Sequence, residues 1–189
     1  MKKSQLWAGI LSPPLALGGI GAAIIINRSW WRLTDNAISD MGRVGLPHNW
    51  VMNVPLFISA VLAIYYAVGL FNELKNTVSK IGIGVFITGL FFLVGIAIFP
   101  EGTKPHYAVS WGFFICASLG FLITGTGLWL EGQGKFGAFT VLLFIAEVLL
   151  ARWAFNAFKG VAVAEFIGIF AIIIWHYVLL WEKFFVKKG

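Results

Sequence analysis

Six runs of apolar residues, each about as long as a bilayer is thick, constrain this chain more than any other feature. They cover roughly 6–27, 51–71, 81–99, 107–130, 138–155 and 161–181. A helix needs about 20 mostly apolar residues to cross the hydrocarbon core of a membrane. The sequence therefore predicts an all-α integral membrane protein, with residues 1–189 forming a single six-transmembrane-helix bundle.

The composition supports a membrane protein and disfavours a soluble one. Of the 189 residues, 59% are hydrophobic and only 12% are charged, whereas soluble domains carry about 25% charged residues. A soluble fold of this length has no core large enough to bury so much apolar surface. The first apolar run is also too long for a signal peptide and lacks a clear cleavage site, so we expect it to be a retained helix.

The net charge of +6 does not indicate a nucleic-acid partner, because the basic residues are scattered among the termini and the short connections. An even number of helices places both termini on one side, with Lys2, Lys3, Lys75, Lys80, Lys135, Lys183, Lys187 and Lys188. The other side receives Arg28, Arg32, Arg43, Lys104, Arg152 and Lys159. The excess of basic residues on the first side predicts a cell-membrane protein with cytoplasmic termini, and a loop 28–50 that lies outside.

A proline pair, Pro13 and Pro14, interrupts the first apolar run. Proline has no N–H and leaves backbone carbonyls without their helical donors, so the helix is expected to bend here. Within a membrane, those carbonyls must find partners elsewhere in the bundle.

Polar residues concentrate in the two connections that are predicted to lie outside. The loop 28–50 is the only long connection, and its polar side chains include Asp35, Asn36, Ser39, Asp40, Arg43 and His48. The connection between the third and fourth runs adds Glu101 and His106, and Ser110 lies on the same helical face as His106 because the two are four residues apart. We expect these residues to form an outward-facing polar pocket.

The fifth and sixth runs contain three ionisable residues, which are rare in membrane helices and usually face the protein interior. Arg152 and Glu165 both lie about 4–6 Å from the outer ends of their helices, at 1.5 Å per residue, which predicts an ion pair. Glu147 is five residues deeper and is expected to share Arg152. His176 lies near the cytoplasmic end, remote from this group, where packing or interfacial contacts explain it best.

Two chemistries could use these residues. The first is zinc-assisted hydrolysis with ligands from Asp40, His48 and His106, or Glu101, although no HxxxH or HExxH spacing is present. A haem is not expected, because His106 and His176 lie at opposite ends of their helices and cannot flank one porphyrin.

The second chemistry is metal-free acid–base catalysis. His106 would act as general base, Asp40 or Glu101 would orient it, and Ser39 or Ser110 would be the nucleophile. A third hypothesis involves no chemistry: the pocket recognises a lipid headgroup, a solute or an ion, and arginines such as Arg43 and Arg152 suit a phosphate.

Two short motifs carry a resemblance to a known family. They are N-x-x-S-D-x-G, formed by Asn36, Ser39, Asp40 and Gly42, and F-P-E with a following histidine, formed by Phe99, Pro100, Glu101 and His106. Together with six helices in fewer than 200 residues, they resemble the prokaryotic membrane family catalogued as domain of unknown function 998. That resemblance implies a fold and no activity.

Two fainter similarities accompany it. One is to membrane proteins of the Frag1/DRAM type, which carry a similar I-S-D-x-G element after their first helix. The other is to membrane hydrolases of the alkaline ceramidase type, in which a serine, an aspartate and three histidines surround a zinc ion. Ser39, Asp40 and His106 would match part of that set, but His176 stands alone on the last helix where that family has paired histidines.

The leading functional hypothesis is therefore a protein that binds or hydrolyses a lipid or a lipid-linked headgroup, with membrane lipids as its partners. The expected catalytic residues are Ser39, Asp40, Glu101 and His106. The expected substrate-binding residues are Asn36, Arg43, Glu147, Arg152 and Glu165. The alternatives are a solute or ion transporter that uses Glu147, Arg152 and Glu165, and a structural or assembly protein without catalysis.

Overall fold

A computed structural model describes residues 1–184 and contains six α-helices with no strand in that part of the chain. The helices are α1 Lys3–Asn27, α2 Trp50–Glu73, α3 Thr77–Ile98, α4 His106–Leu130, α5 Gly134–Ala157 and α6 Ala162–Phe184. Each is long and apolar enough to cross a membrane, which confirms the predicted fold class. The helices extend up to four residues beyond the predicted ranges, because flanking polar residues continue the helices. Lys187 and Lys188 lie outside the described residues.

Helices α1 to α4 pack in sequence order, and α6 returns to lie between α4 and α1. These five helices surround a central cavity, whereas α5 packs against α4 and α6 and is the least buried of the six. The core of the bundle is centred on Trp175 of α6, whose ring packs against Phe86, Phe121 and Phe136. The peripheral position of α5 determines which of its charged residues are buried against the bundle and which are exposed.

Helices α3 and α4 are the most closely packed pair, because glycines on each let the backbone of the other approach. A Cβ on Gly82 would overlap Thr124, and a Cβ on Gly120 would overlap the backbone of Phe86. Small residues at a helix–helix contact are the usual means of close packing in membranes.

The proline pair in α1 frees backbone carbonyls that α6 then satisfies. Pro13 has no N–H to donate to the carbonyl of Gly9, its i−4 partner. In place of that bond, Nε2 of His176 donates to the Gly9 carbonyl at 2.8 Å. His176 is therefore a buried, hydrogen-bonded residue, and its position is explained by the missing donor in α1.

The neighbouring carbonyl is satisfied in the same way. Pro14 leaves the carbonyl of Ile10 without a helical donor, and the hydroxyl of Tyr177 donates to it at 2.9 Å. Two consecutive residues of α6 thus hydrogen-bond the two carbonyls that consecutive prolines release in α1. The expectation that freed carbonyls find partners within the bundle is confirmed.

The loop between α1 and α2 folds back onto the bundle and has its own small apolar core. Trp31, Ile38 and Met41 are buried against residues of α1, α2 and α6. The indole Nε1 of Trp31 donates to the carbonyl of Ala37 at 2.8 Å, which fixes the course of the loop. This loop is an ordered layer at one end of the bundle, and that end is hereafter called the loop face.

Candidate functional site at the loop face

A short 3₁₀ helix, Ser39–Gly42, forms the centre of the loop. The carboxylate of Asp40 stabilises the turn that leads into it, because its Oδ2 accepts bonds from the Ala37 backbone N–H at 2.9 Å and from Nδ2 of Asn36 at 3.1 Å. Aspartate and asparagine favour such local bonds to nearby backbone. Asn36 and Asp40 therefore shape the loop, which explains their spacing in the first motif.

Gly42 completes that motif for a steric reason. The side chain of Asn53, at the start of α2, donates from Nδ2 to the Gly42 carbonyl at 2.8 Å. A Cβ on Gly42 would collide with the Asn53 side chain. The motif thus seats the 3₁₀ helix directly on α2.

Glu165 connects the loop to α6. Its Oε2 accepts a hydrogen bond from the backbone N–H of Ile38 at 2.6 Å. The α6 end of the bundle adds two backbone bonds to the same loop, from Gly160 N to the Thr34 carbonyl at 2.8 Å and from Ala162 N to the Asn36 carbonyl at 2.9 Å. Three bonds therefore hold the loop against the start of α6.

His106, at the start of α4, has both ring nitrogens engaged. Its Nδ1 donates to the Phe99 carbonyl at 2.8 Å, which leaves Nε2 as the acceptor in the neutral ring. Ser110 Oγ lies 3.3 Å from Nε2, and Glu101 Oε2 lies 3.2 Å from the same nitrogen. The second motif thus brings Glu101, His106 and Ser110 into one contact group.

The two motifs meet across the loop face. The backbone N–H of Val44 donates to the Glu101 carbonyl at 2.9 Å, so the first loop is bonded directly to the connection between α3 and α4. Glu165 bonds to the same loop through the Ile38 N–H. Asp40, Glu101 and Glu165 thus belong to three chain segments that are bonded to one another at the loop face, the side of the bundle on which the sequence placed them.

A cavity of about 50 Å³ lies under the 3₁₀ helix, and we call it the loop-face cavity. Its polar lining consists of Ser39, Ser110 and Glu165, and the rest of its wall is apolar. Since a single water needs about 10–15 Å³ of such space, the cavity accepts a small polar group. Asp40 and His106 do not hydrogen-bond each other, and neither lines the cavity.

The predicted ion pair of Arg152 does not form. Within residues 1–184 no ion pair joins Arg152 to Glu165 or to Glu147, and Arg152 is exposed. The reason is angular: five residues along a helix turn the side chain by about 140°, so Arg152 points away from the face that buries Glu147. Within residues 1–184, Arg152 therefore does not connect Glu147 with Glu165.

Glu147 is buried in a different place from the loop-face cavity. It is 7% exposed and lies where α5 meets α4, and its Oε1 accepts from Ser118 Oγ at 2.7 Å. Its Oε2 has no hydrogen-bond partner among the described residues. Glu147 therefore does not line the loop-face cavity.

The predicted zinc ligands are not assembled either. Within residues 1–184, no three His, Cys, Asp or Glu side chains are grouped so that they could hold a metal ion. His48 is exposed, at a left-handed φ of 64° in the turn before α2. Arg43 is also exposed, and its carbonyl accepts from Asn49 Nδ2 at 3.2 Å, so its observed role is in the turn.

The contacts of two further residues were not anticipated from the sequence. Asn53 was expected only to lie at the start of the second helix near the level of the polar loop, and Ser118 was not singled out; neither has a local pattern that predicts the side-chain contact described above. Only the three-dimensional packing of α2 on the loop, and of α4 on α5, gives them partners.

Comparison with known proteins agrees with the sequence motifs. The model of the family described as "Protein of unknown function (DUF998)" matches residues 10–182, nearly the whole chain. The comparison with curated proteins gave no match, and the comparison with solved structures gave none. The match includes both loop-face motifs, four of the apolar helices in full and most of α1 and α6, and the chain belongs to the DUF998 family of membrane proteins of unknown function.

Proposed function

We propose that the protein binds a membrane amphiphile and holds its polar headgroup in the loop-face cavity. The observation that carries this proposal is that Ser39, Ser110 and Glu165, from three different segments, line one cavity whose remaining wall is apolar. A mostly apolar pocket with a few convergent polar groups is the common form of a small-molecule site. The termini are predicted to be cytoplasmic, so this site is proposed to face outward.

The acidic residues at the site indicate which kind of headgroup it binds. Glu165 lines the cavity, Asp40 directly follows the lining residue Ser39, and Glu101 contacts His106, which contacts the lining residue Ser110. None of the residues that line the cavity is basic. Arg43 and Arg152, which would have suited a phosphate, are both exposed, and neither lines the cavity. The site therefore favours a cationic or hydroxyl-bearing headgroup, whose N–H or O–H groups donate to carboxylate oxygens.

A series of single-chain amphiphiles tests the proposal. Dodecylamine, dodecanol and dodecanoate are each added as a minor component to micelles that contain the purified protein, and the midpoint of thermal unfolding is measured. We expect dodecylamine and dodecanol to raise the midpoint and dodecanoate to leave it unchanged, because ligands that bind the native state stabilise it. The shift should be lost in Glu165→Gln and retained in the exposed control Glu131→Gln.

Equal shifts for all three amphiphiles, or a shift that survives in Glu165→Gln, would refute the headgroup site. No shift with any of them would favour the structural hypothesis, in which the loop-face residues only brace the loop.

A second candidate function is hydrolysis of an ester in the headgroup, and one observation favours it. The Phe99 carbonyl accepts from Nδ1 of His106, so in the neutral ring Nε2 is the nitrogen that can take a proton from Ser110 Oγ, 3.3 Å away, and Ser110 lines the cavity. Glu101 Oε2 lies 3.2 Å from the same nitrogen. A fluorophosphonate probe, which reacts with activated serines, should then label Ser110 and fail to label Ser110→Ala or His106→Gln. Labelling that persists in Ser110→Ala, or its absence from the wild type, rejects this function.

A further inference from the structure

A larger cavity of about 100 Å³ lies in the middle of the bundle, below the loop-face cavity, and we call it the central cavity. It is enclosed by α1, α2, α3, α4 and α6. The two cavities are adjacent, because five residues line both of them: Ile20, Leu56, Leu93, Phe113 and Ile169. A molecule that places its headgroup in the first cavity therefore has the second one directly beneath it.

The wall of the central cavity suits hydrocarbon and does not suit water. Almost all of it is apolar, and the polar side chains that reach it are mostly bonded to protein: His176 to the Gly9 carbonyl and Ser59 to the Ser12 carbonyl. Among the described residues, the Tyr66 hydroxyl is buried without a partner. A buried water needs two to four polar partners, and apolar cavities of this kind stay dry and bind apolar molecules.

The seam between α1 and α6 is the most loosely packed wall of the central cavity. These two helices pack least closely of the helix pairs that touch, and hydrogen bonds hold the seam at its two ends. At one end His176 bonds to Gly9, and at the other end Glu165 bonds to the loop that follows α1. Between those ends, Pro13, Ala16, Ile169 and Ile173 line the cavity and are partly exposed.

We propose that the central cavity binds a segment of one lipid alkyl chain, which enters between α1 and α6. The proposal rests on the proposed function, since the same molecule would place its headgroup in the loop-face cavity. The spacing agrees: Ile169 and Ile173 are four and eight residues below Glu165, or about 6 and 12 Å along α6. An apolar cavity of about 150 Å³ holds a benzene molecule, so this cavity accepts a chain segment of a few carbons and not a whole lipid.

A photoreactive alkyl probe tests the inference. The probe is a long-chain alkylamine with a diazirine on its chain, added to nanodiscs of phosphatidylcholine that contain the full chain, and adducts are located by mass spectrometry. Leu90 lines the central cavity and is 3% exposed, whereas its neighbour Phe91 is 60% exposed and faces outward. We expect adducts on Leu90 as well as on Phe91.

Cavity-filling variants supply the control. Ala63→Phe, on the α2 wall of the cavity, should lower the labelling of Leu90 at least fivefold, and the matched variant Val61→Phe, at an exposed position of the same helix, should not. Ala16→Leu, on the α1 wall, should act like Ala63→Phe and serves if that variant fails to fold. The inference is overturned if Leu90 is not labelled in the wild type, or if it is labelled equally in every folded variant.

The chain site and the headgroup site fail in distinguishable ways. If Leu90 is labelled equally in wild type and Glu165→Gln, the chain site stands and the headgroup site is wrong. If the thermal shift by dodecylamine depends on Glu165 while Leu90 remains unlabelled, the headgroup site stands and the chain site is wrong.

Discussion

Oε2 of Glu165 lies 2.6 Å from the backbone nitrogen of Ile38, and this hydrogen bond joins residues that are 127 positions apart in the chain. It fastens the loop after α1 to the first turn of α6. The same bond places the Glu165 side chain beneath the 3₁₀ helix, where Glu165 and Ser39 line one cavity. The stability of the loop and the character of the site thus depend on one carboxyl group.

Glu165→Ala should lower the free energy of unfolding by about 1–3 kcal/mol, because the Ile38 N–H is then left without its acceptor. Glu165→Gln keeps an acceptor oxygen, so its free energy of unfolding should fall clearly less than that of Glu165→Ala. The measurement is denaturant-induced unfolding in mixed micelles, with the exposed Glu131→Ala as control. Equal losses for Glu165→Ala and Glu131→Ala would show that the bond contributes nothing.

Gly160→Ala should detach the loop from α6. A Cβ at Gly160 would overlap the backbone of Asp35 and Asn36, and backbone cannot move aside as a flexible side chain can. The matched variant is Gly84→Ala in α3, where a Cβ would meet nothing. Hydrogen exchange of residues 28–49 should become faster in Gly160→Ala only. Unchanged exchange in that variant would contradict the observed packing of the loop.

The bond between His176 and the Gly9 carbonyl should depend on Pro13. His176→Phe is expected to lower the free energy of unfolding by about 0.6 kcal/mol, the average for side-chain hydrogen bonds between membrane helices, and by at most about 1.7. Pro13→Ala restores a helical N–H donor to the Gly9 carbonyl. His176→Phe should therefore lower the free energy of unfolding less in the Pro13→Ala variant than in the wild type. Strictly additive effects in this double-mutant cycle would mean that the two residues do not share the carbonyl.

Arg152→Gln should change the free energy of unfolding by no more than about 0.5 kcal/mol, as is usual for exposed positions. The reason is that Arg152 forms no ion pair within residues 1–184 and lies on the outer side of the peripheral helix α5. Thermal unfolding of this variant beside Glu165→Ala gives the comparison. If Arg152→Gln destabilised the protein as much as Glu165→Ala does, the result would indicate an ion pair between Arg152 and Glu165.

The sequence predicted the helices well because the signal for a membrane helix lies in local composition. About 20 apolar residues in a row are enough to identify it. That Asp40, Glu101 and Glu165 lie at the same end of the bundle was also predictable, since six consecutive spans assign each connection and each helix end to one side. Likewise, prolines in α1 implied carbonyls in need of donors, whatever residue would provide them.

What the sequence left undetermined is the rotation of each helix and its place in the bundle. Arg152 and Glu165 lie at matching depths, yet α5 is peripheral and Arg152 points away from α6. Glu147, at a depth where an interior position was expected, is buried against Ser118 and not beside Arg152. The depth of a residue along its helix does not determine which way its side chain points. For Glu147 and Arg152, that direction depends on how α5 packs on α4 and α6.

The central claim, that the loop-face cavity holds the headgroup of a membrane amphiphile, is tested most directly by native mass spectrometry of protein released from its own membrane. Wild type and Glu131→Gln should each retain one amphiphile with a cationic or hydroxyl-bearing headgroup, and Glu165→Gln should lose it while remaining folded. Retention of the same amphiphile by Glu165→Gln, or a bound species whose headgroup is only anionic, would contradict the claim.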